Sequence, residues 1–155
     1  MEIRRAEQKD IPRILDLLSQ VLEIHAIIRP DLFISGTRKY TDAELQTMIA
    51  DDMNPIFVAD IAGKVQGYCF CQIHDPVDTH NQRASRSLYI DDLCVDQSVR
   101  HHQVGRQLLA FVTAYARQIG CYDMTLNVWA GNDAAQAFYE KMGFSPRKTC
   151  MEKLL

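Results

Sequence analysis

Hydrophobic residues along the chain follow two different spacings, one typical of helices and one typical of strands. Residues 11–22 place Ile, Leu and Val at intervals of three and four, which predicts an amphipathic helix. A second helix is predicted to begin after Thr41, because Thr41 and Glu44 form a capping-box pattern before an apolar run. Residues 104–119 and 133–142 show the same helical spacing. The pattern therefore predicts four helices.

Strand-like runs separate these helices. They are residues 2–6, 55–61, 65–73, 87–95, 123–129 and 144–155. The second and third runs are joined by a short turn that contains Gly63, which predicts an antiparallel hairpin. Pro146 limits the pairing of the last run at its start. The order of elements predicts a mixed sheet with helices packed on it, in the α/β or α+β class.

Composition and charge narrow the range of functions. The 155 residues fit a single domain that spans 1–155, and 47% of them are hydrophobic, as in ordinary globular proteins. The net charge of −3 gives no reason to expect a nucleic acid or an anionic membrane as a partner. The five cysteines are odd in number and lack metal-ligand spacing, and no signal sequence or apolar span is present. We expect reduced thiols, no metal site and a cytoplasmic location.

A basic turn joins the strand-like run 87–95 to the following helix. Arg100 and Arg106 flank the predicted helix start, where Gly105 would let an anion approach the backbone. Unpaired amides and the positive end of the helix dipole hold phosphate well in such a turn. By itself the pattern fits a solvated helix start equally well. His101 and His102 are expected to be loop residues and not metal ligands, because adjacent histidines do not converge easily on one ion.

Two adjacent carboxylates, Asp91 and Asp92, interrupt the same apolar run. Placing charges in a strand of this kind is costly, so it requires a structural or chemical reason. Alternation along a strand sends the two side chains to opposite faces, unless a bulge redirects one of them.

Two segments of the chain resemble the GNAT superfamily of acyl-CoA-dependent N-acyltransferases. The segment "VDQSVRHHQVGRQLL" is similar to the central motif of that family through Val95, Asp96, Arg100, Gln103, Val104, Gly105 and Leu108. The segment "NVWAGNDAAQAFYEKMGF" is similar to a second motif through Asn132, Ala135, Phe138, Tyr139, Lys141, Gly143 and Phe144. The family usually has a glycine where this chain has Gln103, and a side chain is tolerated there if φ is negative.

The resemblance implies a mostly antiparallel sheet of six to seven strands with splayed fourth and fifth strands, and acetyl-CoA in the gap between them. It implies transfer of the acetyl group to a primary amine of a small molecule or peptide, by direct attack in a ternary complex. Cofactor contacts are then expected from Leu93, Cys94, Val95, Arg100, His101, His102, Gln103, Val104, Gly105, Arg106, Asn132, Phe138 and Lys141. Asn132 is also expected to cap its helix.

The same resemblance suggests roles for the remaining candidate residues. Tyr139 corresponds to the general acid, and Asp91 corresponds to the general base, acting through water. Asp92 is either a second catalytic candidate or a buried hydrogen-bond partner. The acceptor is expected to meet Glu23, His25, Asp31, Phe33, Tyr89 and Asn127, with Tyr40 closing the pocket. A non-catalytic acyl-CoA sensor is the alternative function, and fold-level analogy suggests a homodimer.

Overall fold

A five-stranded sheet forms the centre of the molecule. The computed structural model describes residues 1–81, 83–100 and 102–155. The strands are β1 (Glu2–Arg5), β2 (Ile56–Ile61), β3 (Lys64–His74), β4 (Ser87–Val95) and β5 (Asp123–Leu126), and they lie side by side in chain order. The first three pairs of neighbours are antiparallel, whereas β4 and β5 are parallel. The mixed, mostly antiparallel sheet is therefore confirmed.

Four helices flank the sheet: α1 (Ile11–Ile28), α2 (Asp42–Ile49), α3 (Val104–Gln118) and α4 (Asp133–Lys141). The predicted capping box is present, because the Thr41 hydroxyl accepts from the Glu44 amide and the Glu44 carboxylate accepts from the Thr41 amide. Asn132 caps α4 by accepting from the Ala135 amide at 3.3 Å. Gly143 follows α4 with φ of 91°, which is the left-handed conformation that a helix C-terminus favours.

The hydrophobic core is divided between the two faces of the sheet. Tyr68 and Phe70 of β3 pack with residues of α1 and α2, whereas Cys69 and Cys71 pack with α3 on the opposite face. This division follows from strand alternation, which sends successive side chains to opposite faces. In the described part of the chain all five cysteines are free thiols. Within the same residues, no helix combines the length and the hydropathy needed to cross a bilayer.

The predicted sixth strand, residues 144–155, is wrong. The described backbone hydrogen bonds include none from residues 145–155, and every one of these residues is exposed. Pro146 has no N–H to donate, and the segment contacts the rest of the chain through ion pairs, such as Arg147 with Asp123 at 2.9 Å. The strand predicted at 123–129 also ends early, at Leu126. The described sheet therefore has five strands and not six to seven.

Candidate active site

A cleft opens where β4 and β5 separate. The two strands pair from Ser87 opposite Asp123 to Ile90 opposite Leu126, and β5 then ends. Strand β4 continues to Val95 and leaves its edge free on the β5 side. Pairing between the fourth and fifth strands thus stops just before Asp91, as the predicted separation requires.

A β-bulge places Asp91 at this point. Phe70 of β3 lies opposite Asp92, and the next residue, Cys71, lies opposite Ile90, so Asp91 has no partner on β3. An extra residue of this kind redirects the side chains around it. Both carboxylates consequently meet residues on the α1 and α2 side of the sheet, instead of pointing to opposite faces.

Asp91 is held by the segment that connects α1 to α2. One of its carboxylate oxygens accepts from the Tyr40 hydroxyl at 2.6 Å and from the Lys39 ammonium at 2.8 Å. The Tyr40 ring stacks on Phe70 with the ring centres 5.4 Å apart, which fixes the hydroxyl in position. The Asp91 side chain is 13% exposed, and Lys39 is 43% exposed. The connecting segment is therefore fastened to the bulge by a charged hydrogen-bond pair.

Asp92 lies beside Asp91 in a different environment. The Tyr68 hydroxyl, which is fully buried, donates to its carboxylate at 3.2 Å. Although solvent reaches part of the residue, desolvation of the carboxyl group raises the pKa of Asp92 to about 6, against the lowering effects of the Lys39 charge and the Tyr68 bond. The Leu93 amide also lowers this pKa by hydrogen bonding. Asp92 can thus gain and lose a proton near neutral pH.

Tyr139 approaches the cleft from α4. Its ring packs against Phe138 and Phe144, with centroid distances of 5.2 Å and 5.7 Å. Burial raises the pKa of Tyr139 well above its ordinary value, and the charges of Cys69 and Asp92 raise it further. Tyr139 therefore remains protonated at neutral pH, as a proton donor requires. It is also close enough to Asp92 for the charge of Asp92 to affect its pKa.

The start of α3 leaves backbone amides free. The first helical hydrogen bond runs from the Gln107 amide to the Gln103 carbonyl at 3.0 Å, so the amides of residues 104–106 have no acceptor within the helix. Gln103 makes no side-chain cap and has φ of 61°, in the left-handed region. The negative φ under which a side chain is tolerated there is not found. The glycine of the family motif would fit this conformation without strain.

Gly105 allows helix α3 to pack closely against its neighbours. A Cβ at this position would lie 3.3 Å from a Val95 methyl group and 3.4 Å from the Phe138 ring. Helix α3 can therefore approach both the end of β4 and helix α4. An open groove of about 410 Å³ lies between the two helices, lined by Arg106, Phe138, Lys141 and Met142.

The end of β4 presents alternate backbone groups to the cleft. Because the Asp96 amide donates to Gln66 of the neighbouring strand at 2.8 Å, alternation directs the backbone of Cys94 to β3 and that of Leu93 and Val95 to the free edge. The Cys94 side chain lies in the core, where its thiol contacts the Leu17 carbonyl. Arg100 donates to the Val95 carbonyl at 3.3 Å. His102 is exposed, and His101 lies outside the described residues.

Two of the predicted acceptor residues are occupied in folding the connecting segment. Glu23 accepts from the Ser35 hydroxyl at 2.7 Å and from the Gly36 amide at 2.6 Å. Asp31 accepts from Arg29 at 2.6 Å and 2.9 Å. Both carboxylates thus have hydrogen-bond partners near their own positions in the chain, and their predicted contact with an acceptor stays a prediction.

Aromatic residues close the other end of the same segment. His25 packs on Phe33 at 5.2 Å, and Phe33 contacts Trp129 edge to face at 5.4 Å. Near the point of strand separation, the Asn127 amide donates to the Tyr89 hydroxyl at 3.2 Å. Four of the six predicted acceptor residues thus make aromatic or hydrogen-bonded contacts, and their role in binding an acceptor stays a prediction.

Sequence reasoning missed Lys39, Tyr68 and Trp129. A lysine in a polar segment does not by itself indicate a functional site. The alternating pattern predicts Tyr68 only as an ordinary core residue of a hairpin. The pattern predicts Trp129 as the last residue of a strand, but that strand ends at Leu126. Their contacts depend on which segments meet in space, and spacing along the chain does not specify that.

The free strand edge and the uncapped helix start are the two features that the resemblance to acyl-CoA-dependent transferases implies for the cosubstrate site. Comparison with known proteins agrees, because residues 21–144 match the model of the acetyltransferase (GNAT) family. The chain belongs to this family, and it is an N-acetyltransferase.

Individual relatives span almost the whole chain. It is 28% identical to glucosamine 6-phosphate N-acetyltransferase of Trypanosoma brucei brucei over 144 residues, which are 93% of this chain and 88% of that protein. A solved structure of a tetramutant of the BH1408 protein from Bacillus halodurans superposes with a TM-score of 0.95 at 26% identity and covers 100% of both chains. An aminoglycoside N-acetyltransferase in complex with CoA gives a TM-score of 0.72 at 18% identity, covering 99% of this chain and 93% of that one, which shows a shared fold.

Proposed function

We propose that this protein transfers the acetyl group of acetyl-CoA to a primary amine by direct attack in a ternary complex. The observation that carries the proposal is the separation of β4 from β5 at Asp91. It sets a free strand edge next to the uncapped start of α3, and the bulge at the same point directs the two carboxylates to one side of the sheet.

The residues around the cleft fit coenzyme A. The amides of residues 104–106 form a cradle for the diphosphate, and Arg106 adds charge at the rim of the groove. The backbone groups of Leu93 and the amide of Val95 are available to pair with the amide-containing pantetheine arm as a further strand would, whereas the Val95 carbonyl already accepts from Arg100. Phe138 and Lys141 line the groove beyond. The bound cosubstrate supplies an activated thioester, and the protein fixes its position.

Asp92 and Tyr139 divide the proton transfers between them. An acceptor amine is protonated at neutral pH and must lose a proton before it attacks, and Asp92, with a pKa of about 6, can take that proton directly or through water. Tyr139 then gives a proton to the departing thiolate. The Leu93 amide faces the free edge and is a candidate donor to the oxyanion. We assign Asp91 to binding the ammonium group of the acceptor and not to base catalysis. Its carboxylate already accepts hydrogen bonds from the Tyr40 hydroxyl and the Lys39 ammonium, which is how an anion that binds a cation behaves.

The acceptor is proposed to be a small amine, with amino sugars as the first class to test. A relative that spans 93% of this chain is named for glucosamine 6-phosphate, and a structural neighbour is named for aminoglycosides. The aromatic side chains of His25, Phe33 and Trp129 offer flat faces of the kind that pack on sugar rings. Asp91 offers the matching anionic site for the amine.

The proposal is tested by measuring release of the CoA thiol with a panel of acceptors. The panel contains glucosamine 6-phosphate, glucosamine, aminoglycosides, polyamines and peptides, with N-acetylglucosamine 6-phosphate as the control that lacks a free amine. We expect turnover for at least one small amine, and calorimetric binding of CoA that weakens in Arg106→Ala.

A non-catalytic acyl-CoA sensor would give a different result. It would bind CoA tightly and release no thiol with any amine. Absence of CoA binding would overturn the proposed cradle at the start of α3. Peptide turnover without turnover of amino sugars would keep the reaction and reject the acceptor class.

A further inference from the structure

A primary amine of the protein itself occupies the place that the proposed reaction gives to the acceptor. The Lys39 ammonium lies 2.8 Å from Asp91, the residue at which β4 and β5 separate. It shares the carboxylate oxygen with the Tyr40 hydroxyl, whose ring is fixed on Phe70. The side chain is thus held by a defined contact and not merely located near the cleft.

The surroundings of Lys39 supply what an attacking amine needs. Burial raises the pKa of Asp92, the neighbour of Asp91. Among the effects that lower this pKa, the positive charge of Lys39 is the largest. Tyr139 is close enough to Asp92 that the charge of Asp92 raises the pKa of Tyr139. An amine thus lies next to a base candidate where the pairing of β4 with β5 stops, and an acid candidate interacts electrostatically with that base.

We propose that Lys39 is an internal acceptor, which the protein acetylates on itself when no external amine is present. This inference rests on the proposed function, because it uses the same acetyl donor. It adds a modification site on the segment between α1 and α2, and it makes Lys39 a competitor of the external acceptor for Asp91.

The step balances without an oxidant or reductant. The Lys39 ammonium gives one proton to Asp92, from which it passes to solvent, and the neutral nitrogen forms a C–N bond with the thioester carbonyl carbon. The C–S bond breaks and the thiolate gains a proton from Tyr139, and the second proton that the nitrogen loses restores the Tyr139 hydroxyl. The products are N-acetyl-lysine, the CoA thiol and one released proton.

Acetylation would also alter the segment that carries Lys39. An amide has no positive charge, so the ion pair with Asp91 would be lost and Tyr40 would remain as the hydrogen-bond donor that holds this carboxylate at the bulge. The carboxylate would then be available to a cationic acceptor.

Lys9 provides a matched internal control. Its ammonium lies 2.7 Å from the Glu7 carboxylate, so it is ion-paired like Lys39, but it lies in the turn just before α1 and far along the chain from Asp91. Chemical acetylation by a thioester in solution would modify Lys9, whereas acetylation inside the cleft would not.

The experiment is incubation of the purified protein with isotope-labelled acetyl-CoA in the absence of acceptor, followed by peptide mass spectrometry. We expect label on Lys39 at least tenfold above Lys9, a first-order rate that is independent of protein concentration, and loss of the label in Tyr139→Phe. Addition of an accepted amine should slow the labelling. Equal labelling of Lys9 and Lys39, or labelling of Lys39 that Tyr139→Phe leaves unchanged, would overturn the inference.

A second measurement needs no acetyl-CoA. Trace labelling with acetic anhydride reports the reactivity of each lysine, and Asp91→Asn should raise the reactivity of Lys39 relative to Lys9, because the ion pair is removed. An unchanged ratio would show that Asp91 does not hold Lys39. Failure of the proposed function is recognised separately, since neither wild type nor Lys39→Arg would then release thiol with any external amine.

Discussion

The hydroxyl of Tyr68 donates a 3.2 Å hydrogen bond to the carboxylate of Asp92 from inside the hydrophobic core. This bond favours the charged form of Asp92, whereas desolvation favours the neutral form and is the larger effect. The balance leaves the pKa at about 6. The pKa of Asp92 thus lies in the range that suits a base for an ammonium substrate. Its neighbour Asp91 instead forms an ion pair with Lys39.

This balance predicts the pH dependence of the reaction. A base must be deprotonated to act, so kcat/KM should fall as pH decreases through about 6. Asp92→Asn should remove this limb and lower kcat/KM by roughly 10²-fold. Asp91→Asn is the matched control: it should keep the limb, because Asp92 is still present to titrate. A limb that survives in Asp92→Asn would assign the base elsewhere.

The same group should reduce stability at neutral pH. Between about pH 4 and 6 the folded protein retains a proton on Asp92 that the unfolded chain has lost, so stability falls as pH rises through this window. Asp92→Asn should therefore be more stable than wild type at pH 8, by at most about 3 kcal/mol, with a smaller difference near pH 4. Denaturant unfolding at both pH values measures it. Asp78→Asn, a change at an exposed loop position, should leave the wild-type slope intact.

Removal of the proposed acid should reduce turnover without loss of cosubstrate binding. Tyr139→Phe keeps the ring contacts with Phe138 and Phe144 and deletes only the hydroxyl. Thiol release should fall by roughly 10²-fold, while calorimetry gives an unchanged affinity for CoA. Tyr115→Phe, which alters a partly buried tyrosine packed on Phe57, is the control and should retain full activity. A fully active Tyr139→Phe protein would exclude this residue from the chemistry.

Gln103 is expected to limit both stability and affinity for CoA. A side chain at φ of 61° costs about 1 kcal/mol relative to glycine, less the entropy that glycine loses on folding. Gln103→Gly should therefore be neutral or up to about 1 kcal/mol stabilising, and it should bind CoA more tightly because the Cβ no longer stands beside the cradle. The same change at Gln107, inside α3, should destabilise by about 1 kcal/mol. Weaker CoA binding in Gln103→Gly would show that the glutamine contributes a contact.

Gly67 should be sensitive to the addition of one methyl group. A Cβ at this position would lie 2.8 Å from the Cys94 carbonyl oxygen, and backbone cannot rotate away as a side chain does. Gly67→Ala should destabilise by about 1–3 kcal/mol, measured by denaturant unfolding. Gly105→Ala meets side-chain atoms at 3.3 Å or more and should be milder. A larger loss in Gly105→Ala would mean that the packing of Val95 and Phe138 is more rigid than the strand pair.

Features set by neighbouring residues could be predicted from the sequence. The caps at Thr41 and Asn132, the helix end at Gly143 and the β2–β3 hairpin each depend on a few adjacent positions, and all are found. The separation of the fourth and fifth strands followed from the resemblance to a family and is also present.

Features set by contacts between distant segments could not be predicted. No local signal places Lys39 on Asp91, which is 52 positions away. The sixth strand failed because a strand needs a partner as well as an extended pattern, and the segment after Pro146 has none among the described residues. The conformation of Gln103 depends on how α3 meets β4 and overrides the ordinary preference of a glutamine.

The bulge at Asp91 gives β4 one residue more than the facing part of β3 requires. Deletion of Asp91 would restore regular pairing, because its neighbours Ile90 and Asp92 already lie opposite the adjacent residues Cys71 and Phe70. Cys94 would keep its place opposite Tyr68 on the α1 side of the sheet, whereas a deletion elsewhere in β4 would send the residues on one side of it to the opposite face. Single-codon deletions should therefore be tolerated better at Asp91 than at the other positions of β4, a constraint that saturation mutagenesis would make visible.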